Sequence, residues 1–558
     1  MKNNIIKVLS LFVLILAGWG CTADFLDTNP NTKLTQDMIK TDYSKIWDFG
    51  FAPYTYLANG FSGIDGNISA TITDEAEQTA ASSNSQYFNN GSWSAYNNPI
   101  DVYSNCYKGI RAASYFLENF NDYKTYLALN RDTLSDHQVQ YNKDVQDIAW
   151  MRAESRVLRA WYYFELAKRY GGVPLVKKVL ASTDSINIPK ASFDDIINYI
   201  VSEIDLATDS LQPNWKTSAF TNSNGRIDKG VALAIKSRAL LYAASPLNNT
   251  TNEIEKWKKA AKAAYDVIAL KSYSLDGNYQ NLFTTDYTAN SKETIWAIRL
   301  GTTNNLEKQN YPIGTIGGNS GVTPSQNLVD AYDYKGVADP KLPYKNRDPR
   351  LSLSIVTNAS IWNGRIVQIY AGGLDGIDKK NATKTGYYLK KFLSANLDLA
   401  NNVSMQRSWI VFRYAEILLN YAEAMNSAYG PDDNSGNTMT ARQAINAVRS
   451  RSGILMPAVV ATNAIEMNIK IKHERRIELA FEDHRYWDLL RWKDADVALN
   501  ADLMGMSAIK TTDITYPYTY TTFKVENRIF DPSKMYHFPI PQNEIVKSNG
   551  ILSQNTNW

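Results

Sequence analysis

The sequence predicts a mostly α-helical protein in which paired helices form a scaffold, long loops project from it, and a few short strands are present. Apolar residues recur at i, i+3 and i+4 spacing over most of the chain, the pattern of amphipathic helices. Two pairs of neighbouring helical segments are rich in alanine, whose small side chain lets helices approach closely. Two long stretches, 50–100 and 271–404, lack this spacing and are rich in polar and aromatic residues.

The N-terminus has the features of an export signal. Lys2 and Lys7 precede a mostly apolar run, VLSLFVLILA, which is too short to span a bilayer. Cys21 follows soon after and is the expected site of lipidation, with a plain secreted chain as the alternative. We therefore predict a lipoprotein signal peptide at 1–20 and a lipidated tether at 21–40. Two acyl chains anchor a protein stably where one does not.

Composition describes a folded chain without a strong charge. Of 558 residues, 44% are hydrophobic and 21% are charged. Removing Lys2 and Lys7 with the signal lowers the formal net charge from +3 to about +1, which argues against a basic nucleic-acid-binding domain. Acylation of Cys21 would leave Cys106 without a disulfide partner, so a large core must stabilise the fold.

Helical segments follow one another along the mature chain. In RVLRAWYYFELAKRYGG, Val157, Trp161 and Phe164 mark one face of a helix. Gly171 supplies its C-cap and Pro174 prevents its continuation. The predicted helices are 101–121, 145–170, 192–210, 228–244, 253–270, 405–428, 438–451 and 464–495.

Two of these helical stretches form predicted helix–turn–helix pairs. One pair is 228–244 with 253–270, separated by SPLNNTTN, and the other is 405–428 with 438–451, separated by GPDDNSGN. Both are similar to tetratricopeptide-type pairs, although the sequence has no strict tetratricopeptide period. The fold class is therefore a tetratricopeptide-like scaffold of helical pairs.

The loop-rich stretches interrupt this scaffold. Loops of such length in a compact domain are functional or disordered, and their many aromatic residues favour a function. The pieces TIWAIRL and YYLKKF have the character of short strands, and we place Trp296 of the first in the core. We predict one domain over 41–558, with an N-terminal part of about 41–270 and a C-terminal part of about 271–558.

The segment HERRIELAFEDHRYWDLLRW, 473–492, is dense in groups that could act chemically. A zinc-protease helix needs two His four residues apart, but Ile477 follows His473 at that position. The next imidazole, His484, would lie ~16 Å away along one continuous helix. A zinc site is therefore not expected.

The same segment suits a buried structural helix better. Opposite charges occur at i,i+3 spacing, which can lace a helix surface, and apolar residues lie on more than one side. Arginines beside Glu474, Glu478 and Glu482 should keep these carboxylates ionised, which is wrong for a general acid. The predicted pairs are Arg475–Glu478, Glu482–Arg485 and Asp488–Arg491.

Five stretches together resemble the SusD/RagB family, surface lipoproteins of Bacteroidetes that bind glycans. They occur in family order over nearly the whole mature chain. The stretches are CTADFLDTNPNT, ESRVLRAWYYFELAKRYGGVPLV, SRALLYAASP, RYAEILLNYAEAMN, and KHERRIELAFEDHRYWDLLRW with YHFPIPQNEIVKSNGILSQNTNW.

This resemblance implies a helical scaffold on which a partner rests, and loops that hold a glycan. The implied partner is a SusC-like TonB-dependent transporter, and the implied location is the outer membrane at the cell surface, with anchoring through Cys21. The resemblance implies neither catalysis nor an obligatory cofactor. It also implies that the 473–492 segment is a packing signature of the family.

Recognition of sugars needs flat aromatic faces and a rim of fixed hydrogen-bonding groups. The stretch 74–98 and the second loop region supply both. Asp74 is a candidate hydroxyl acceptor with an alternative role as a helix N-cap, and Trp93 is a candidate platform with an alternative role in loop packing. The predicted glycan-binding residues are Asp74, Tyr87, Trp93, Tyr96, Asn97, Tyr311, Asn319 and Trp362.

Two other classes of function stay open at this point. A surface glycoside hydrolase would need two carboxylates about 5–10 Å apart across a cleft. A peptide-binding lipoprotein of the same uptake type would depend more on exposed strands that bind backbone. We predict no required metal, because neither DGNYQ nor PDDNSGN has the ligand spacing of an EF-hand.

Overall fold

The structure is a computed structural model that describes residues 36–129, 131–184, 188–218, 220, 225–284 and 290–558. The predicted signal peptide, the predicted lipidation site Cys21 and most of the tether lie outside these residues. The chain divides into two compact units. One holds the described residues up to Asp48 together with Phe120–Ile148, and the other holds Phe49–Asn119 and Ala149–Trp558. The single domain over 41–558 stays a prediction.

Hydrogen bonding and ring contacts join the two segments of the smaller unit. The Tyr43 hydroxyl donates to the Asp147 carboxylate at 2.7 Å. The Lys40 ammonium lies 5.0 Å from the ring centre of Tyr126. These contacts bring residues from the start of the described chain against the 120–148 segment.

Helices make up most of the secondary structure, as predicted. The longer helices of the described chain are α1 (Tyr43–Phe51), α2 (Tyr103–Asn119), α3 (His137–Tyr170), α4 (Phe193–Thr208), α5 (Lys229–Ala244), α6 (Ile254–Ala269), α7 (Tyr414–Tyr429), α8 (Ala441–Arg449), α9 (Ala464–Glu478) and α10 (Arg485–Trp492). Shorter helices are Gln36–Lys40, Ser85–Asn89, Tyr123–Ala128, Asn281–Thr284, Asn305–Asn310, Gln326–Ala331, Pro349–Ser354, Ala495–Ala498 and Gln542–Lys547. No helix among the described residues is long and apolar enough to cross a membrane.

The strands of the described chain form antiparallel pairs: β1 with β3, β2 with β8, β4 with β7, β5 with β6, and β9 with β10. Their bounds are β1 (Ala76–Gln78), β2 (Thr294–Thr303), β3 (Val322–Pro324), β4 (Ile355–Val356), β5 (Ile361–Trp362), β6 (Arg365–Ile366), β7 (Tyr388–Leu389), β8 (Met405–Arg413), β9 (Leu503–Lys510) and β10 (Tyr518–Glu526). The predicted strand-like pieces TIWAIRL and YYLKKF contribute β2 and β7, and Trp296 is buried as predicted.

Six helices of the larger unit pack in a row. Helix α4 packs on α5, α5 on α6, α6 on α7, and α7 on both α8 and α9. The alanines of α5 and α6 are buried along this row, for example Ala234, Ala260 and Ala264. Both predicted helical pairs are therefore confirmed, because α5 packs on α6 and α7 packs on α8.

The prediction of a helix over 405–428 is wrong in its first third. Residues 405–413, MQRSWIVFR, form β8, and the helix begins only at Tyr414. Seven residues of this strand, from Arg407 to Arg413, are buried in succession, which removes the alternation that would have revealed a strand. A short buried strand and a buried helical turn look alike in sequence, and pairing with β2 decides between them.

The prediction of one helix over 464–495 is also wrong, since the backbone breaks between α9 and α10. Phe481 and Asp483 both adopt left-handed conformations, with φ of 66° and 61°. The Phe481 N–H donates to the Glu75 carboxylate at 3.1 Å, and the Ser69 hydroxyl donates to Asp483. Tertiary hydrogen bonds therefore hold a turn that the helical periodicity does not show.

The 473–492 segment is buried and structural, as predicted. Most of its charged side chains, however, pair with residues that are distant in the sequence. Glu478 accepts from Arg413 at 2.6 Å and from Arg451 at 2.7 Å. The predicted pairs Arg475–Glu478 and Glu482–Arg485 are absent among the described ion pairs, whereas Asp488–Arg491 is present at 2.9 Å. Burial alone would raise the pKa of Glu478, but three guanidiniums hold it well below its usual range.

Candidate functional site

A polar cleft of about 470 Å³ lies at one end of the β1–β3 pair. It collects amide, hydroxyl and charged side chains from five separate parts of the chain. Its polar lining residues are Asp65, Asn67, Gln78, Thr79, Gln309, Asn319, Lys379 and Asn381. Such groups can donate to and accept from a ligand that is rich in hydroxyl groups.

Strand pairing brings two of these parts together. Gln78 at the end of β1 lies opposite Val322 at the start of β3. One residue further, the Thr79 N–H donates to the carbonyl of Gly321 at 2.9 Å. Because β1 and β3 are antiparallel, residues that follow β1 meet residues that precede β3. Asn319 therefore reaches the same cleft as Gln78.

An amide pair closes the floor of the cleft. The side chains of Asn67 and Asn310 donate to each other at 3.0 and 3.1 Å, and Asn310 also accepts from the Val322 N–H at 2.9 Å. Gly321 packs directly against this pair. A Cβ at that position would lie 2.8 Å from the amide nitrogen of Asn67 and 2.7 Å from the carbonyl of Gln309. The close approach requires glycine.

Tyr311 and Trp362 support the 311–321 loop from below. Both are buried, at 0% and 1% exposure, and their rings meet edge to face at 5.4 Å. The Tyr311 hydroxyl donates to the carbonyl of Ser394, and the Tyr311 carbonyl accepts from the Ser320 N–H at 3.1 Å. Neither ring has a face available to a ligand in this conformation. The two rings therefore pack beneath the loop that carries Asn319.

A buried carboxylate fixes the other end of this loop. Asp375 accepts two hydrogen bonds of 2.6 Å from the Arg365 guanidinium. It also accepts from the backbone N–H of Gly314 at 2.9 Å. Arg365 in turn donates to the Thr315 hydroxyl at 3.1 Å. A charge-assisted bidentate pair of this kind holds the loop in one geometry.

Asp74 is clamped by arginines. Its carboxylate accepts from Arg476 at 2.8 Å and from Arg485 at 2.8 Å. Burial would raise the pKa of Asp74, but the two guanidiniums hold it well below its usual range. The alternative role as a helix N-cap is wrong, because no described helix begins there and β1 starts at Ala76. Both oxygens of Asp74 are thus occupied within the protein.

The predicted residues of the 85–98 segment, which begins with the Ser85–Asn89 helix, differ in exposure. Trp93 is 2% exposed, stacks on Phe88 at 4.6 Å and contacts the ring of Trp558 at 4.5 Å. This is the packing alternative that the sequence left open. Tyr96 is 85% exposed, Tyr87 is 36% exposed, and Asn97 is also at the surface. The ligand-binding roles of all these residues stay predictions.

Of the predicted glycan-binding residues, only Asn319 lines the cleft. Sequence reasoning missed Asn67, Gln78 and Gln309, because single amides in loops carry no distinctive spacing. Their one usable signal is the density of Asn and Gln in the two loop regions. In the described part of the chain, no group of three or more His, Cys, Asp or Glu could hold a metal ion.

A pair of carboxyl groups, Glu77 of β1 and Glu526 of β10, lies next to the cleft. The Gln86 amide donates to Glu77 at 2.9 Å and to Glu526 at 3.2 Å, and Arg528 donates to both residues. Burial raises the pKa of Glu77 to about 7. Glu77 immediately precedes Gln78, so this network fixes the backbone from which the cleft is built.

Comparison with known proteins agrees with this architecture. Residues 280–558, half of the chain, match the model described as SusD family. The chain belongs to the SusD family. Residues 24–241 match a second model, described as starch-binding associating with outer membrane.

Individual SusD-like proteins are similar to the chain over most of its length. SusD-like protein P2 of Formosa agariphila is 23% identical over 75% of this chain and 76% of its own. A crystal structure of a SusD-like protein from Bacteroides fragilis is 25% identical, covers 94% of this chain and 98% of that one, and superposes with a TM-score of 0.75. A SusD-like carbohydrate binding protein from the same species is 26% identical, with coverages of 92% and 99% and a TM-score of 0.74.

Proposed function

We propose that this chain is a cell-surface lipoprotein that captures an oligosaccharide or polysaccharide and delivers it to a SusC-like transporter in the outer membrane. The polar cleft carries the first half of this proposal. It gathers side-chain amides, a hydroxyl and both signs of charge from five parts of the chain, which is the chemistry that sugar hydroxyls require. Similarity to a SusD-like carbohydrate binding protein supports the same ligand class.

The second half of the proposal rests on the family and on the N-terminal sequence. The model that matches 24–241 is described as associating with the outer membrane. Lipidation at Cys21 would tether the chain there. The row of helices from α4 to α9 is the proposed resting surface for the transporter.

Binding without catalysis fits the carboxylates of the 473–492 segment. Glu478 and Glu482 each form ion pairs with arginine or lysine. Burial raises the pKa of both carboxyls, but the neighbouring cations lower it by more, so both pKa values lie below their ordinary value. A general acid of a glycoside hydrolase needs the opposite shift. Glu77, whose pKa is raised, is buried beside the cleft, and both of its oxygens accept hydrogen bonds within the protein. The proposed protein therefore holds its ligand through hydrogen bonds and releases it unchanged.

Affinity electrophoresis against a panel of plant, microbial and host polysaccharides tests the function. We expect retardation by one polysaccharide class and no release of reducing ends. Release of reducing sugar would instead indicate that the protein is a glycoside hydrolase. Retardation by none of the polysaccharides would favour peptides as ligands.

Matched asparagine variants test the location of the site. Asn319 and Asn97 are both exposed, but only Asn319 lines the cleft. Asn319→Ala should weaken binding of the retained polysaccharide about 3- to 10-fold, the worth of one or two hydrogen bonds. Asn97→Ala should leave the affinity unchanged. The reverse result would place the glycan on the 85–98 segment instead.

A further inference from the structure

The β9–β10 hairpin has one covered edge. The Met504 N–H donates to the side chain of Asn327 at 2.8 Å. The Met506 N–H donates to the carbonyl of Thr385 at 2.8 Å, and the carbonyl of Ala508 accepts from the Ala371 N–H at 3.2 Å. The backbone groups of the even-numbered residues of β9 thus point away from β10, and three of them are hydrogen-bonded to other parts of the chain.

The other edge of the hairpin is the outer edge of β10. The Thr511 N–H donates to the carbonyl of Pro517 at 2.9 Å, so Thr511 and Pro517 form a hydrogen-bonded pair of the β9–β10 ladder next to the turn. Hydrogen-bonded pairs alternate along an antiparallel ladder, so Thr519 and Thr521 also face β9. The backbone groups that point away from β9 belong to Tyr518, Tyr520, Thr522 and Lys524.

Nothing in the described part of the chain hydrogen-bonds the outward backbone groups of β10. Thr521, Thr522 and Lys524 are also exposed. An open edge of this kind is a template for another strand, and proteins usually blunt it with proline, bulges or charge. Here Pro517 and the irregularity at Lys524/Glu526 lie only at the two ends, so the strand between them is open.

Charge at the turn end of β10 restricts what can pair with it. The Lys341 ammonium lies 4.5 Å from the ring centre of Tyr516, and Lys510 is the cross-strand neighbour of Tyr518. Both lysines are exposed, and neither forms an ion pair within the described chain. A negative group on the incoming strand would therefore be favoured at this end.

We propose that the outer edge of β10 binds an extended peptide by strand addition, antiparallel to β10, with the peptide's C-terminal carboxylate beside Lys341 and Lys510. Only a polypeptide repeats N–H and C=O groups at the spacing that Tyr518, Tyr520, Thr522 and Lys524 present. Antiparallel pairing places the C-terminus of the peptide at the turn end. This site is separate from the polar cleft and does not depend on the proposed glycan function.

The test uses a fluorescent hexapeptide that alternates Thr and Val and ends in Glu with an unblocked carboxylate. Fluorescence anisotropy with the lipid-free chain should give saturable binding. The same peptide, N-methylated on the residues that face β10, cannot donate ladder bonds and should bind at least about tenfold more weakly. Equal binding of both peptides would overturn strand addition, as would an absence of binding up to about 2 mM.

Protein variants locate the site. Thr522→Pro removes one outward N–H and spares the β9 ladder, so it should weaken peptide binding about tenfold. Thr521→Ala, whose backbone faces β9, should bind the peptide as the unmodified chain does. Hydrogen exchange at the amides of Ser507 and Ile509, whose backbone groups face β10, verifies that both variants keep the hairpin. A Thr522→Pro variant with an intact hairpin and unchanged affinity would refute the assignment.

The charge requirement has its own test. Lys341→Gln and Lys510→Gln should each weaken the acidic peptide about threefold at low salt and leave a C-terminally amidated peptide with neutral Gln at its end unaffected. Equal losses for both peptides would mean that the lysines act on the hairpin and not on the carboxylate, and would overturn the proposed orientation.

Discussion

Gly321 shows how one residue sets the shape of the cleft. Its backbone lies where any Cβ would be 2.7 Å from the Gln309 carbonyl and 2.8 Å from the Asn67 amide. Both neighbours are themselves hydrogen-bonded, so neither can move aside without losing a partner. The floor of the cleft is therefore a packed polar layer and not a loose loop.

We expect Gly321→Ala to lower the free energy of unfolding by about 1–3 kcal/mol through overpacking. Urea denaturation followed by circular dichroism measures the change. Gly301→Ala is the matched control, because nothing lies within 4 Å of a Cβ at that position. If both substitutions had the same effect, backbone flexibility and not the crowded floor would explain the loss.

We expect Glu75 to make the stability of the folded chain depend on pH. Burial, and then the negative charge of Asp74, raise the pKa of Glu75 to about 7 from its ordinary value of 4.5. Between these values the folded chain keeps a proton that the unfolded chain has lost, so this residue makes stability fall as pH rises. Glu75→Gln should flatten the fall in unfolding free energy between pH 5 and pH 8. An unchanged slope would show that Glu75 ionises normally.

At the scale of elements, the turn between α9 and α10 depends on the ionic core around it. Arg413 at the end of β8 donates to Glu293, Glu478 and Glu482 at 2.6–2.8 Å. All of these side chains are at most 4% exposed. The Arg413 guanidinium thus joins the end of β8 to the residue before β2, to the last residue of α9 and to the turn that follows α9.

Removal of Arg413 should be severe because it leaves several carboxylates buried with too few cations. We expect Arg413→Met to cost about 3–5 kcal/mol of unfolding free energy. Arg442→Met removes an arginine from a pair with Asp432, whose side chain is 63% exposed, and should cost about 0–1 kcal/mol. Thermal unfolding of the two variants compares them directly. Similar costs would mean that the buried network contributes little.

At the scale of the whole molecule, the distribution of tryptophan separates two possible glycan sites. The chain has 13 Trp, and none of those among the described residues lines the polar cleft. Binding at the cleft should leave the intrinsic Trp emission spectrum unchanged while calorimetry detects heat. A blue shift or quenching of the Trp emission on ligand addition would instead indicate a glycan site near a ring such as Trp93 or Trp362.

Periodicity predicted the helical scaffold well, because α5, α6, α7 and α8 bury alanine and leucine at helical spacing. It failed at 405–413, where continuous burial hides the period of a strand, and at 481–483, where the break depends on hydrogen bonds from distant residues. Aromatic content led to Tyr311 and Trp362, whose burial cannot be read from a single sequence. The amides of the cleft meet only after β1 pairs with β3.

The β2–β8 pair also has a consequence for how such proteins can diversify. It joins residues 294–303 to residues 405–413, and β8 continues directly into α7 of the helical row. The hundred or so residues between them begin and end at adjacent points of one ladder. An exchange of that stretch between relatives therefore leaves β2 and β8 paired. It must still supply cations at the places of Arg350 and Lys391, which pair with Glu474, Glu478 and Glu482 beneath it.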